Sequence, residues 1–304
     1  MKTQIILRKV HYAFSAFLCT ACLVSCNDWL KPEPLSFYSP ENTYVTKEGL
    51  EGALVSCRAM IRPEFIGNNS YACTELMTSD VAVAGNIVAQ TLKNFEIQLK
   101  PGAYGDSQIG TFWSKGYSAI QKANTIISRV QAADEITEND KNTILAEGYF
   151  HRSYWYYKLV NQFGDVPFID KEVTTPKLDF YSHTRSSILK RLREDMMFAT
   201  RYLPESAPHG AVSKAAGNHL LAKICLACCD FDGAVAATTA VIDHSQHKLM
   251  EKRFGVNISD AQYNIISDLF NRENINSSEN LEGIFLVEDK RLTEGRRSGD
   301  LQDS

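Results

Sequence analysis

The stretch AEGYFHRSYWYYKLVNQFGDVPFI, residues 146–169, decides the fold. It places aromatic side chains on nearly all sides of a helix, and a helix that is apolar all round is a buried one. Gly164 stops this helix, and Pro167 prevents it from starting again. We therefore predict a long, buried helix from about residue 142 to residue 162.

Helical periodicity continues on both sides of this stretch, with one apolar stripe along residues 111–130. Thr46 and Ser213 are predicted N-caps, because their hydroxyls can accept a hydrogen bond from the first helical turn. We expect Pro63 to end the first helix. The predicted helices lie at 47–62, 73–78, 111–130, 142–162, 185–202, 214–229 and 232–244, and the run GIFLVE at 283–288 is strand-like.

Two consecutive helices after Ser213 fit a tetratricopeptide repeat. With Ala234 as the small residue of the second helix, Phe231 takes the aromatic turn position, whereas Cys229 and Thr238 stand where a glycine and a large residue are usual. The core-packing positions are then Leu221, Ala222, Cys225 and Val241. Helix pairs joined by short turns predict a mainly α fold, a tetratricopeptide-like helical repeat scaffold with irregular loops and little β structure.

The start of the chain reads as an export signal that ends on a cysteine. Basic residues precede an apolar run from Tyr12 to Val24, which is shorter than the about 20 residues of a transmembrane helix. Leu23-Val24-Ser25-Cys26 has the form of a bacterial lipobox and predicts lipidation of Cys26. Acyl chains contribute about 0.8 kcal/mol per buried CH₂, enough to hold the protein on a membrane. An ordinary signal peptide cut at another site is the alternative.

These features divide the chain into four predicted segments. A lipoprotein signal peptide occupies residues 1–25, and a Pro-rich, lipidated tether follows at 26–42. The helical repeat domain covers 43–290, and a polar tail completes the chain at 291–304.

The sequence contains no H-E-x-x-H motif, no Gly-rich phosphate loop and no G-x-S-x-G motif, so we predict no catalytic residue and no cofactor. Cys225-x-x-Cys228-Cys229 supplies half of a zinc site without the second half, and we predict no metal. The eight cysteines are irregularly spaced and do not indicate a disulfide framework.

The formal net charge of −4 gives no electrostatic reason to expect nucleic acid as a partner. The acidic run at 132–141 is expected to be a solvated turn between helices. A glycosidase carboxylate pair stays open as an alternative, because such pairs are set by space and not by sequence.

The candidate ligand-binding residues are Tyr71, Asp80, Asn86 and Asn94, in an irregular stretch between predicted helices. Amides and carboxylates hydrogen-bond sugar hydroxyls, and an aromatic face stacks on a pyranose ring. The alternative is that the Asn and Asp residues only form turns. The aromatic residues at 149–157 could also stack on sugars, but their helical spacing is typical of core packing.

With these segments placed, the chain resembles the SusD/RagB family of Bacteroidetes outer-membrane lipoproteins. The resemblance rests on motifs in family order along essentially the whole chain: LVSCNDWLKPEP (23–34), FWSKGYSAIQKANTII (112–127), the stretch at 146–169, SKAAGNHLLAKICLACCDFDGAVAAT (213–238) and ENLEGIFLVED (279–289). Gly217-Asn218 and Cys228-Cys229 depart from the family pattern, and the glycine is expected to weaken its helix. The C-terminal part of the family fold is expected to be missing.

The resemblance implies a function without bond chemistry. Such a protein sits at the cell surface on the outer membrane, binds an oligosaccharide or another nutrient, and delivers it to a SusC-like TonB-dependent transporter. Two alternatives stand beside this: a helical-repeat interaction scaffold that has lost ligand binding through truncation, and a glycoside hydrolase.

Overall fold

Regular structure in the described residues consists of seven α-helices and one short pair of strands. The protein is represented by a computed structural model that describes residues 43–65, 79, 108–208, 210–243 and 245–287. These residues belong to one unit, Thr43–Ser304. The predicted signal peptide, tether, helix at 73–78 and polar tail lie outside them.

The six predicted helices that fall within the described residues form in the predicted order, with small shifts at their ends, whereas the strand pair and the last short helix were not predicted. The elements are α1 (Lys47–Phe65), α2 (Gln108–Val130), α3 (Glu138–Phe163), β1 (Val166–Pro167), β2 (Ser182–His183), α4 (Arg185–Tyr202), α5 (Lys214–Ala227), α6 (Phe231–Ile242) and α7 (Ile265–Phe270). The strands are antiparallel, with Val166 opposite His183. No helix in the described part of the chain is both long and apolar enough to cross a membrane.

Both predicted N-caps are confirmed. Thr46 Oγ1 accepts a hydrogen bond of 3.2 Å from the Gly49 amide. Ser213 Oγ accepts one of 3.3 Å from the Ala216 amide. The prediction that 132–141 is entirely a turn is wrong, because α3 begins at Glu138 behind an N-cap at Thr137. Acidic side chains in this first turn face the positive end of the helix dipole and stabilise it there.

The prediction that Pro63 ends the first helix is also wrong, since α1 continues to Phe65. Proline removes one backbone hydrogen bond, but the last turn is held by tertiary contacts. Glu64 is fully buried there and pairs with Tyr154 and Lys158 of α3.

The run predicted to be strand-like forms no strand over its described residues, 283–287. Instead its apolar side chains Ile284, Phe285 and Val287 pack against the helical core. The Phe285 ring lies 5.7 Å from that of Phe150. Side-chain burial therefore explains the apolar pattern without a strand partner.

Helix α3 lies at the centre of the packing, in contact with α1, α2, α4 and α5. Its Trp155 and Tyr156 are fully buried. The aromatic residues at 149–157 are thus core residues, as their spacing indicated. The repeat pattern in α5 and α6 is confirmed at Leu221, Ala222, Cys225, Ala234 and Val241, which are all buried.

Gly217 lets α5 approach α4 closely. A Cβ at this position would lie 2.6 Å from Leu203 Cδ1. The glycine that departs from the family pattern therefore allows the two helices to pack closely. Its lower helix propensity is the cost of this contact.

A left-handed residue forms the corner between α5 and α6. Cys229 has φ 59°, and the amides of Cys229 and Asp230 donate to the carbonyls of Leu226 and Cys225 over 3.1 Å and 2.9 Å. This is a Schellman motif with cysteine at the position where glycine is usual.

Candidate functional site

The residues predicted from the sequence to act at the surface lie outside the described residues. These are the lipidation site Cys26 and the ligand-binding candidates Tyr71, Asp80, Asn86 and Asn94. They remain predictions.

The charged residues of the 146–169 stretch are used to hold the fold together. Arg152 Nη2 donates to Asp195 Oδ2 over 2.5 Å, and Arg152 Nη1 donates to Asn124 Oδ1 and to the Asp170 carbonyl. The side chains of Arg152, Asp195 and Asn124 are all buried. This network joins α2, α3 and α4 and fixes the chain just after β1.

Glu147 is held in a second buried network. Arg58 Nε and Nη2 donate to its two carboxylate oxygens over 2.6 Å and 2.8 Å. Burial raises the pKa of Glu147. Hydrogen bonds from Arg58, together with the nearby His151, outweigh this effect and hold the pKa below its usual value. A carboxylate paired in this way is ionised and unsuited to act as a general acid.

The cysteines at and after the end of α5 serve packing and the helix end. Cys225 is buried, as expected for a repeat core position, and Cys229 is exposed. Within the ranges that the structure describes, no group of three or more His, Cys, Asp or Glu side chains is placed to hold a metal ion.

A polar cavity of about 540 Å³ lies between the loop before α5 and the segment after α7. Its volume falls within the range typical of small-ligand pockets. The polar side chains in its lining are Ser206, Ser213, Gln246, His247, Asn276, Ser277, Ser278 and Asn280. Asn276 Oδ1 is buried and has no hydrogen-bond partner in the part of the chain that the structure describes. Such an atom is costly to bury without a partner.

A larger, mainly apolar cavity of about 900 Å³ lies next to the polar one. The two share His247, Leu281 and Ile284 as a common wall. His247 Nδ1 lies 3.2 Å from the Leu281 carbonyl, which also accepts a hydrogen bond of 3.1 Å from the Lys248 amide. These contacts fix the wall between the two cavities.

The irregular segment around these cavities is organised by Arg253. Its guanidinium pairs with the buried carboxylate of Asp268 and donates to the carbonyls of Tyr263 over 2.6 Å and Asp260 over 3.0 Å. Hydrogen bonding by Arg253 holds the pKa of Asp268 below its usual value. Asn274, also buried, accepts from the Val256 amide over 3.0 Å. Side-chain hydrogen bonds to the backbone therefore hold much of this segment in place.

A third feature is the exposed aromatic loop, residues 174–181, between β1 and β2. Every residue in it is exposed, including the large apolar side chains of Leu178, Phe180 and Tyr181. Tyr181 lies against His183 of β2, with ring centroids 4.9 Å apart and the planes inclined by 33°.

Sequence reasoning missed both Asn276 and Tyr181. Asn276 lies in NRENINSSEN, residues 271–280, whose amide and hydroxyl content resembles the irregular stretch that supplied the predicted candidates. Tyr181 follows the charged residues Lys177 and Asp179. The adjacent aromatic residues Phe180 and Tyr181 were the available sequence signal. Neither residue has a spacing pattern that distinguishes it from an ordinary loop residue.

Comparison with known proteins identifies the relatives of the chain. A family model, SusD-like_3, described as "Starch-binding associating with outer membrane", matches residues 50–226, more than half of the chain. SusD-like protein P2 of Formosa agariphila is 29% identical over 78% of this chain and 47% of its own length. The chain spans about half the length of the curated relatives it matches.

Solved structures share the fold. Surface glycan-binding protein A from Bacteroides uniformis superposes with a TM-score of 0.62 at 18% identity, over 78% of this chain and 52% of that one. A laminarin-binding SusD-like protein gives a TM-score of 0.59 at 23% identity, over 67% of this chain and 46% of that one. The helical architecture predicted from the sequence is thereby confirmed, and the chain belongs to the SusD-like family, whose members bind glycans without catalysis.

Proposed function

We propose that this chain is the glycan-binding part of a surface lipoprotein that captures an oligosaccharide without cleaving it. The observation that carries the proposal is the polar cavity with the unpartnered Oδ1 of Asn276. The laminarin-binding relative makes a β-glucan the first ligand to try.

The chemistry of the cavity suits a sugar. Each sugar hydroxyl both donates and accepts, and amide and hydroxyl side chains do the same. Asn276 lines the cavity, and no group among the described residues donates to its Oδ1. A ligand that brings a hydroxyl to this oxygen removes the cost of a buried, unsatisfied acceptor.

Delivery to a transporter completes the proposal. We infer that lipid on Cys26 anchors the protein to the outer membrane at the cell surface, and that a SusC-like TonB-dependent transporter receives the ligand. The family description, which associates these proteins with the outer membrane, supports this arrangement.

The test is affinity electrophoresis of the purified chain through gels that contain laminarin, starch or other polysaccharides, with a reducing-sugar assay on the same mixtures. We expect retardation by at least one glycan and no release of sugar. Asn276→Ala should weaken that retardation, whereas Asn139→Ala, an exposed amide outside the cavity, should not. Sugar release would show a hydrolase, and no retardation by any glycan would overturn the proposal.

An interaction scaffold is the second candidate function. Helix α6 leaves Phe231, Val235 and Ile242 more than half exposed, and their spacing of four and seven residues places them on one side of the helix. An exposed apolar stripe of this kind is typical of protein contacts. Under this reading, Val235→Asp would abolish co-purification of the transporter from native membranes, and the parent chain would bind no glycan.

A further inference from the structure

The exposed aromatic loop holds three large apolar side chains that are exposed to solvent. Leu178, Phe180 and Tyr181 are 99%, 42% and 72% exposed within four residues. Single exposed apolar residues are ordinary, but a contiguous group marks a contact surface.

The loop is held firmly at its first end. Glu172 forms an ion pair of 2.7 Å with Arg129, and its amide donates to Ser128 Oγ over 3.1 Å. Just before it, the Ile169 carbonyl accepts from Asn124 Nδ2 over 2.7 Å. These contacts tie the segment that enters the loop to α2.

The second end is held by β2 and by a row of rings. His183 pairs with Val166 in the strand ladder. Its ring lies 6.2 Å from that of Phe168, which lies 4.7 Å from the buried ring of Tyr156. Tyr181 packs on His183 at the outer end of this row. One face of Tyr181 is thus supported by protein, and its high exposure leaves the other face to solvent.

Charged groups flank the exposed rings. The Lys177 ammonium lies 5.4 Å from the centroid of the Phe180 ring. The Asp179 side chain is exposed beside it, 3.9 Å from Lys177. Both groups belong to the same loop as Tyr181 and can hydrogen-bond sugar hydroxyls.

We propose that the exposed aromatic loop is a second glycan contact, separate from the polar cavity. A pyranose ring stacks on the open face of Tyr181, and Lys177 and Asp179 bind its hydroxyls. The inference rests on the proposed function, because it requires that the chain binds glycans. A polysaccharide long enough to reach both sites gains from the pair through effective concentration.

A sugar fits this surface better than a protein partner does. Stable interfaces between proteins bury about 800 Å² on each partner, and a short loop with one supported ring offers far less. Stacking on a sugar needs only a flat ring, held in place, with polar groups beside it.

The experiment compares Tyr181→Ala, Tyr181→Phe and the matched control Tyr263→Ala, an exposed tyrosine elsewhere on the chain. Binding of laminarin and of laminaritriose is measured by calorimetry on the full chain. We expect Tyr181→Ala to weaken laminarin binding about tenfold, the upper range for an aromatic contact. Tyr181→Phe keeps the ring and should retain the affinity. The trisaccharide, bound at the cavity, should be affected little.

Each result decides between the two proposals. If the chain binds laminarin and Tyr181→Ala behaves like Tyr263→Ala, the second contact is overturned and the proposed function stands. If the chain binds no glycan, both fall. If Leu178→Ser abolishes transporter co-purification and Tyr181→Ala leaves laminarin binding unchanged, the loop is a protein contact.

Discussion

The guanidinium of Arg152 and the carboxylate of Asp195 form an ion pair of 2.5 Å inside the helical core, where these residues are 1% and 3% exposed. Burial raises the pKa of Asp195 against the opposing influence of Arg152. The charges are therefore costly to bury and depend on each other. Through the Asp170 carbonyl, Arg152 also fixes the chain that leads into the exposed aromatic loop.

Breaking this pair from one side should be severe. Asp195→Ala leaves the Arg152 charge buried without its partner and should lower the free energy of unfolding by about 3–5 kcal/mol. Urea denaturation followed by circular dichroism measures the loss. The double variant Arg152→Met/Asp195→Leu removes both charges and should recover most of it. A double variant less stable than Asp195→Ala would show that the charges stabilise the core.

Replacing the left-handed cysteine with glycine should stabilise the protein. Cys229→Gly removes the cost of a side chain at φ 59° and should raise the free energy of unfolding by about 0.5–1 kcal/mol. Cys228→Gly is the matched control, because φ at Cys228 is −86°, so glycine there relieves no strain, adds freedom to the unfolded chain and removes a side chain that packs against the core. Thermal denaturation should give shifts of opposite sign, and equal shifts would contradict this account.

Acid should weaken the Glu147–Arg58 pair. The pKa of Glu147 lies below its value in the unfolded chain. Its contribution is therefore fully present above that value and is lost as the pH falls through the folded pKa. Glu147→Gln should cost about 1.5–3 kcal/mol at pH 7. In urea titrations between pH 7 and pH 3, the difference from the parent should shrink on acidification; a constant difference would argue against an ionised Glu147.

Thiol labelling should separate the cysteines by burial. Burial raises the pKa of the Cys57 thiol to about 12, and this residue is 1% exposed, whereas Cys229 is exposed. Because the thiolate is the nucleophile, iodoacetamide at pH 8 should modify Cys229 in the native protein and Cys57 only after unfolding. Peptide mass spectrometry after a timed exposure measures this. Rapid native labelling of Cys57 would mean that α1 opens readily from the core.

Much of the scaffold could be predicted from the sequence because its signals are local. N-caps at Thr46 and Ser213, the break at Gly164 and the repeat spacing around Ala234 each depend on neighbouring residues alone. The error at Pro63 has the opposite origin, since the turn that contains it is held by α3. Predictions from neighbouring residues fail where a contact from a distant part of the chain stabilises the backbone.

The candidate site was less accessible to prediction because distant segments assemble it. The polar cavity combines the loop before α5 with residues around Asn276, more than sixty positions further on. Tyr181 gains its support from a ring on β2. Likewise, the sequence shows that Arg152 and Glu147 are charged, but it does not show that Asp195 and Arg58 lie opposite them.

Because Glu172 is held by α2 while Ser182 and His183 are held by the strand ladder, the loop at 174–181 can change its sequence without disturbing the core. Loops of this kind tolerate substitution and insertion well. If this loop is a glycan contact, as proposed, evolution can change which polysaccharide it binds by replacing these few residues. The helical architecture then stays intact. The same boundaries mark where an engineer would graft a foreign loop.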